Sequence, residues 1–153
     1  MEKNKPIGIF DSGLGGLTVL KEIIKILPNE DLIYLGDTAR VPYGTRSKDI
    51  VRKFSYEDAM FLVDKNVKAI VIACNTASAF AGEWLRRRLT VPVFEVISSA
   101  AKDATTVTKN NVIGVIGTRG TISSGAYKQA IKKINPAIND IERLNQTNAN
   151  GKK

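Results

Sequence analysis

Ile70-Val71-Ile72-Ala73-Cys74-Asn75-Thr76-Ala77-Ser78-Ala79 is the stretch of sequence that decides the fold of this chain. Its apolar, largely β-branched first half predicts a buried strand, and its second half predicts a helix that begins just after Cys74. A thiol at such a junction meets free backbone N–H groups and the positive end of the helix dipole, which stabilise a thiolate and lower its pKa. The position alone fits a reactive thiol and a buried structural cysteine equally well.

The alternation of short apolar runs with amphipathic segments continues on both sides of this stretch. Strands are predicted at residues 7–10, 32–35, 69–73, 93–96 and 112–116. Helices are predicted at residues 17–27, 47–64, 77–89, 98–107 and 123–134, with Ser47 as the N-cap of the second helix. Regular strand–helix alternation predicts an α/β fold, a three-layer sandwich in which helices cover both faces of a mainly parallel sheet.

The composition is that of a globular chain with an excess of positive charge. Hydrophobic residues make up 43% of the 153 positions and charged residues 25%, and the formal net charge is +8. The lysines are dispersed, and the tight cluster Arg86-Arg87-Arg88 lies in the last turn of a predicted helix, where cations complement the helix dipole. We therefore expect a solvated basic face that attracts anions modestly, and not a nucleic-acid interface.

The cysteine and histidine counts restrict the possible chemistry. The chain has one cysteine and no histidine, which excludes an internal disulfide and a Cys–His hydrolytic pair and argues against a zinc site. No apolar run is long enough to span a bilayer, and the first residues lack the apolar core of a signal peptide. We expect a cytoplasmic protein that binds neither a metal nor a membrane.

Polar, glycine-rich segments follow the predicted strands. They are Asp11-Ser12-Gly13-Leu14-Gly15-Gly16, Gly36-Asp37-Thr38-Ala39-Arg40-Val41-Pro42-Tyr43-Gly44, Cys74-Asn75-Thr76 and Gly117-Thr118-Arg119-Gly120-Thr121. Because ligands bind beyond the carboxyl ends of parallel strands, these segments predict one site at that edge of the sheet. Asp11 is a candidate general base or ammonium partner, and Asn75 and Thr76 are candidate carboxylate contacts, although tight turns and capping explain each residue as well.

Four longer motifs, taken in order, resemble the aspartate/glutamate racemase family. They are Gly8-Ile9-Phe10-Asp11-Ser12-Gly13-Leu14-Gly15-Gly16-Leu17-Thr18-Val19, Tyr34-Leu35-Gly36-Asp37-Thr38-Ala39-Arg40-Val41-Pro42-Tyr43-Gly44, Ala73-Cys74-Asn75-Thr76-Ala77-Ser78-Ala79 and Gly114-Val115-Ile116-Gly117-Thr118. The resemblance runs from about Pro6 to about Pro136. Four motifs in the same order are far more specific than any single loop.

The resemblance implies an isomerase that interconverts L- and D-glutamate without pyridoxal phosphate or metal and supplies D-glutamate for peptidoglycan. It implies that Cys74 is one of two catalytic thiols and that Asp11 assists it. The substrate contacts that it implies are Asp11, Ser12, Tyr43, Gly44, Asn75, Thr76, Thr118 and Thr121. It also implies a homodimer for the full-length family. An aspartate or hydantoin-type racemase, and a non-catalytic remnant or interaction module, remain alternatives.

The chain departs from the family in its length and in its single cysteine. Members of the family are longer and carry their second cysteine in the later half. We therefore expect an N-terminal portion of such a protein, inactive alone, with an incomplete second lobe. The expected division is a first lobe at residues 1–97 with Cys74, the start of a second lobe at 98–138, and a polar, disordered tail at 139–153.

Overall fold

The structure is a computed structural model that describes residues 4–145. Its elements, in chain order, are β1 (Ile7–Asp11), α1 (Leu17–Ile26), β2 (Leu32–Gly36), a single 3-10 turn (Tyr43–Thr45), α2 (Lys48–Asp64), β3 (Ala69–Ile72), α3 (Asn75–Arg86), β4 (Val93–Glu95), α4 (Val96–Val107), β5 (Val112–Gly117), α5 (Arg119–Ser123), α6 (Ala126–Ile134) and β6 (Asn139–Leu144). The alternation confirms the predicted α/β class.

The first four strands form one parallel sheet in the order β2-β1-β3-β4. Right-handed crossovers between parallel strands place α1 on one face of this sheet and α2 and α3 on the other. The core lies between the sheet and the α2–α3 pair, and its fully buried side chains include Phe10, Ile70, Ile72, Leu62 and Leu85. Apolar side chains on consecutive strand positions are buried here because helices lie over both faces.

The α1 face of this sheet is covered less completely than the α2–α3 face. Helix α1 buries none of its residues, and the side chains of Leu17, Ile24 and Leu27 are 43%, 49% and 42% exposed. Phe94, in the edge strand β4, is 59% exposed. The apolar stripe of α1 and the edge strand therefore leave apolar surface in contact with solvent.

Strands β5 and β6 form a separate two-stranded parallel sheet. One face of this sheet packs on a small cluster of buried side chains, namely Ala101, Ile113, Val115, Ile131 and Ile138. Val112, Ile116 and Ile141 lie on the opposite face and are 38%, 76% and 42% exposed. This sheet is therefore packed by helices on one face only, within residues 4–145.

Two expectations from the sequence need correction. The helix predicted at residues 123–134 begins only at Ala126, because Gly125 has a φ of 64° and separates α6 from the short helix α5, which ends at Ser123. The tail expected from residue 139 begins instead with β6, whose polar sequence reflects an exposed strand beside β5. The expected lobe boundary after Ile97, which lies in the first turn of α4, stays a prediction. The last eight residues, expected to be disordered, lie outside the described residues.

No helix within residues 4–145 is long and apolar enough to cross a bilayer.

Candidate active site

Asp11 stands at the carboxyl end of β1, and its carboxylate organises the turn that follows. Its side chain is 5% exposed, and Oδ2 accepts hydrogen bonds from the backbone N–H groups of Gly13 (3.2 Å) and Gly16 (2.9 Å). A side chain at Gly16 would place its Cβ 2.7 Å from Asp11 Cβ and 2.8 Å from Ala73 Cβ. Glycine is therefore required where the turn passes between β1 and β3.

Cys74 follows the neighbouring strand β3 and is the N-cap of α3. Its thiol donates a hydrogen bond to Ser12 Oγ (3.3 Å), and the Ala77 N–H donates to Sγ (3.4 Å). The residue is 7% exposed. The structure thus places Cys74 and Ser12 in direct contact, although 62 positions separate them in the sequence. This contact confirms that the loops after β1 and β3 share one edge of the sheet.

The electrostatic setting of Cys74 differs from the sequence-based expectation. Burial raises the pKa of the thiol above its ordinary value, and the negative charge of Asp11 raises it further. Hydrogen bonding with Ser12 and with the Ala77 N–H opposes this shift, but it is the smaller effect. The expected lowering of the pKa at the helix N-terminus was therefore wrong in direction, because desolvation dominates at this buried position.

Thr76, Thr118 and Thr121 form a triangle of hydroxyl groups. The Oγ1 atom of Thr76 lies 2.9 Å from that of Thr118 and 3.3 Å from that of Thr121, and the last two are 3.1 Å apart. Thr76 and Thr121 are buried, and Thr118 Oγ1 also accepts the Thr121 N–H as the N-cap of α5. The triangle joins the loop after β3 to the loop after β5. Thr118 therefore both caps α5 and helps to hold the two loops of the candidate site together.

The predicted contact residue Tyr43 points into the core. Its hydroxyl bonds to the carboxylates of Asp37 and Asp58, the latter at 2.9 Å, and its ring packs against Phe54. Burial and these two carboxylates raise the pKa of the Tyr43 hydroxyl well above its ordinary value. The Tyr43 side chain is therefore committed to the core, and Gly44 beside it is also buried.

Gly44 packs against the loop after β5. A Cβ at this position would lie 2.6 Å from Thr118 Cβ, which requires glycine for the close approach of the two segments. Arg40 holds the base of the same loop, since its guanidinium bonds to Asp37 (2.6 Å), Asp58 (2.8 Å) and Glu57. The Tyr43–Gly44 turn is thus fixed from both sides.

Two residues near the site were not singled out from the sequence. The Tyr34 hydroxyl donates to the carbonyl oxygen of Gly13 (3.1 Å), and burial, with the charges of Asp11 and Cys74, raises its pKa to about 12. Tyr127, on α6, donates to Asn75 Oδ1 at 2.7 Å. Tyr34 lies within a motif quoted above, but nothing in the local pattern around Tyr127 indicates its contact with Asn75.

Among residues 4–145, no cluster of three or more His, Cys, Asp or Glu side chains is arranged to bind a metal ion. The groups gathered at the sheet edge are a thiol, a carboxylate, several hydroxyls and an amide. This set can move a proton and bind an amino acid through charge and hydrogen bonds.

A family model described as Asp/Glu/Hydantoin racemase matches residues 7–151. The chain belongs to this racemase family. The glutamate racemase of Geobacter metallireducens is 59% identical over 139 residues, which are 91% of this chain and 52% of that protein. The family resemblance drawn from the four motifs is therefore confirmed.

Solved racemase structures confirm the fold. The glutamate racemase of Aquifex pyrophilus matches with a TM-score of 0.92 at 49% identity, over 97% of this chain and 58% of that one. The Francisella tularensis glutamate racemase, solved with D-glutamate, matches with a TM-score of 0.86 at 47% identity, over 93% and 53% of the two chains. The chain spans about half the length of the curated relatives that it matches. The individual site residues remain predictions.

Proposed function

We propose that this chain carries the first catalytic thiol and one side of the substrate site of a cofactor-independent glutamate racemase. The observation that supports this most directly is the position of Cys74, at the N-cap of α3 and in contact with Ser12. The relatives that cover about 90% of this chain at more than 50% identity bear the name glutamate racemase. A thiol placed at the ligand-binding edge of a parallel sheet suits proton transfer at a bound amino acid.

Racemisation sets a geometric condition that one thiol does not meet. The Cys74 thiolate would take the α-proton from one face of the substrate Cα, and a second acid must return a proton to the opposite face. The chain has a single cysteine and no histidine. We infer that the second thiol lies outside these 153 residues and that the chain alone does not racemise glutamate.

Asp11 would assist Cys74 by pairing with the substrate ammonium group. The carboxylate of Asp11 is one cause of the raised pKa of the Cys74 thiol. A substrate ammonium group paired with Asp11 would neutralise this charge and so favour the thiolate when substrate is bound. The substrate itself would therefore activate the base, and the empty site would keep an unreactive thiol.

The remaining polar groups suit the two carboxylates of glutamate. The hydroxyls of Ser12, Thr76, Thr118 and Thr121, the Asn75 amide and the Gly44 backbone are the proposed contacts. The first backbone N–H groups of α3 add donors and a positive dipole end where a carboxylate is favoured. No pyridoxal phosphate or metal is required by this arrangement.

The biological setting follows from the same proposal. The product D-glutamate would serve peptidoglycan synthesis in the cytoplasm, and the complete enzyme would act as a homodimer. Residues 1–97 would form the first lobe, and the residues from 98 onward, β6 included, would begin the second. An aspartate or hydantoin-type racemase and a non-catalytic module are the alternatives. The test below separates the aspartate-specific racemase and the non-catalytic module from this proposal.

The test uses Cys74 as its own reporter, because it is the chain's single cysteine. Iodoacetamide alkylation of Cys74 should slow in the presence of D-glutamate, and D-lysine, which lacks the second carboxylate, should give no protection. Protection by D-aspartate alone would favour the aspartate-specific alternative. Equal alkylation with and without all three amino acids would contradict substrate binding and favour the non-catalytic module.

A second measurement addresses the chemistry. In deuterated water, any exchange of the D-glutamate α-proton is expected to be slow, to leave the configuration unchanged, and to disappear in Cys74→Ala. Exchange that persists in Cys74→Ala would refute the role of this thiol. Circular dichroism of D-glutamate should stay constant over hours, and a decay proportional to protein concentration would refute the need for a second thiol.

A further inference from the structure

The hydrogen bond between Tyr127 and Asn75 joins two side chains that lie 52 positions apart in the sequence. Asn75 is the first residue of α3 and directly follows Cys74, and Tyr127 lies in the first turn of α6. The Tyr127 hydroxyl donates to Asn75 Oδ1 at 2.7 Å. A residue outside the proposed substrate contacts therefore holds one of those contacts in place.

The ring of Tyr127 is anchored in the smaller core. It is partly buried and packs against the cluster beneath β5 and β6 that includes Ile131 and Ile138. Burial, with a contribution from the negative charge of Glu95, raises the pKa of the Tyr127 hydroxyl above its ordinary value. The hydroxyl therefore keeps its proton at neutral pH and can act as a donor from a fixed position.

This contact selects one orientation of the Asn75 amide. An asparagine side chain has an acceptor on one branch of its planar amide and two donors on the other. The Tyr127 hydroxyl has no hydrogen-bond partner other than Asn75 within residues 4–145. If the amide were turned over, Nδ2 would donate to the hydroxyl oxygen, and the hydroxyl proton would have no acceptor in this part of the chain. The hydrogen bond therefore favours Oδ1 on the side of α6.

The NH₂ group of Asn75 is left to meet a ligand. Asn75 is exposed, and its Nδ2 has no hydrogen-bond partner in the described part of the chain, residues 4–145. Its neighbours in the sequence are Cys74 and Thr76, both proposed members of the site. A carboxylate accepts hydrogen bonds and cannot donate them, so an amide held with its donors free suits a carboxylate.

We propose that Tyr127 is a positioning residue of the amino-acid site, which holds the Asn75 amide so that its NH₂ group donates to a carboxylate of bound glutamate. This rests on the proposed function and extends it to a side chain that does not itself touch the substrate. It also gives the β5–β6 region a task in binding, because the smaller core that anchors Tyr127 sets the orientation of a group beside Cys74.

The experiment measures the concentration of D-glutamate that halves the rate of Cys74 alkylation by iodoacetamide. Tyr127→Phe keeps the ring in the smaller core and removes only the hydroxyl. The half-protecting concentration should rise about fivefold, because the freed amide must then be ordered by the ligand itself. Tyr56→Phe is the matched control, since Tyr56 lies on α2, is 40% exposed and packs its ring against Trp84. It should leave the concentration unchanged.

A double-mutant cycle separates positioning from a general structural role. Asn75→Ala should itself weaken protection, and Tyr127→Phe should have no further effect in that background, because Tyr127 acts through the amide. A merely structural role of the hydroxyl would weaken protection by the same factor with and without Asn75.

Asn75→Asp tests the donor without changing Tyr127. An aspartate at this position keeps an acceptor for the Tyr127 hydroxyl and is favoured in the first turn of a helix, so the fold is retained. It replaces the NH₂ group by an oxygen that repels a carboxylate. D-Glutamate should therefore protect Cys74 less in Asn75→Asp than in Asn75→Ala.

Three results would overturn the role of Tyr127. They are an unchanged half-protecting concentration in Tyr127→Phe, an equal change with and without Asn75, and protection in Asn75→Asp as strong as in the parent. Each of them is read in a parent chain that D-glutamate protects, so the proposed racemase function would survive it. A parent chain that D-glutamate does not protect would instead refute the proposed function, and the role of Tyr127 with it.

Discussion

The two sheets of this molecule differ in how their faces are covered. In the four-stranded sheet, Ile9, Phe10, Ile70 and Ile72 on the two central strands are fully buried. In the β5–β6 sheet, alternate side chains of β5 are exposed, and one of them, Ile116, is 76% exposed. Parallel sheets are normally covered on both faces, so the second sheet is the less stable region.

This difference divides the candidate site into two halves. The first half lies on the more stable four-stranded sheet, and the second half lies on the less stable β5–β6 sheet. Asp11 ends β1 and Cys74 follows β3, the two central strands of the first sheet, whereas Thr118 and Thr121 follow β5 of the second. The threonine triangle and the Tyr127–Asn75 hydrogen bond join the two halves. The proposed proton-transfer group is therefore held by the stable region, and part of the proposed substrate site depends on the weaker one.

The largest expected effect is in the core of the first sheet. Phe10→Ala should lower the free energy of unfolding by about 3–5 kcal/mol, because it removes a fully buried ring and leaves a cavity. Urea unfolding followed by far-ultraviolet circular dichroism measures this loss. Phe94→Ala is the matched control, since that ring is 59% exposed and its removal should cost less than about 1 kcal/mol. Equal losses would show that the two rings are equally buried in solution.

The second prediction concerns the smaller core. Ile131→Ala should cost about 2–4 kcal/mol, because Ile131 is fully buried beneath β5 and β6. In hydrogen exchange, the amides of β5 should lose protection while those of β1 and β3 keep it. Ile134→Ala, on the same helix at 48% exposure, is the control and should change little. Loss of protection in all strands together would show that the sheets unfold as one unit.

The third prediction concerns the link between the halves. Thr76→Val keeps the shape of the side chain but removes the hydroxyl that contacts both Thr118 and Thr121, at a cost of about 1–2 kcal/mol. Amide exchange in α5 should rise, and D-glutamate should protect Cys74 less. Thr106→Val is the control, because its hydroxyl donates only to Asp103 O in its own helix. If both variants behave alike, the triangle does not join the halves.

The parts of the fold that could be predicted are those that local sequence encodes. The central strands β1 and β3 are continuous apolar runs because both of their faces are covered, and Cys74 was correctly placed at a strand-to-helix junction. Strand β6 was missed because an exposed strand of six residues, Asn-Asp-Ile-Glu-Arg-Leu, has no apolar pattern. Its partner β5, and not its own sequence, makes it a strand.

The site was harder to predict where contacts are long-range. The resemblance named Tyr43 as a substrate contact, but the burial of its side chain depends on Asp58, 15 positions later. A signal for this was present, since Asp58 falls on the buried stripe of α2 with Val51, Ser55 and Leu62. A carboxylate on such a stripe requires a buried partner. The pKa of Cys74 was misjudged because the helix N-terminus is visible in the sequence and desolvation is not.

The fourth prediction, the smallest in size, tests the charged network that holds the Tyr43–Gly44 turn on the first half. Burial raises the pKa of Asp58 to about 6, with Asp37 adding to the shift and the Tyr43 hydroxyl and Arg40 opposing it. The folded state therefore binds a proton more tightly than the unfolded state, where an Asp side chain titrates near pH 4. The stability that this tighter proton binding adds is fully present below about pH 4 and is lost as the pH rises toward about 6.

Asp58→Asn removes the titrating group and keeps an acceptor for the Tyr43 hydroxyl. Between about pH 4 and 6, stability of the variant should fall less with rising pH than that of the parent, by on the order of 1 kcal/mol because solvent screens part of the effect. Unfolding in urea at several pH values measures both slopes. Asp49→Asn, exposed in the first turn of the same helix, should leave the parent slope unchanged. Parallel slopes for Asp58→Asn and the parent would show that Asp58 titrates normally, and the Tyr43–Gly44 turn would then owe its position to packing alone.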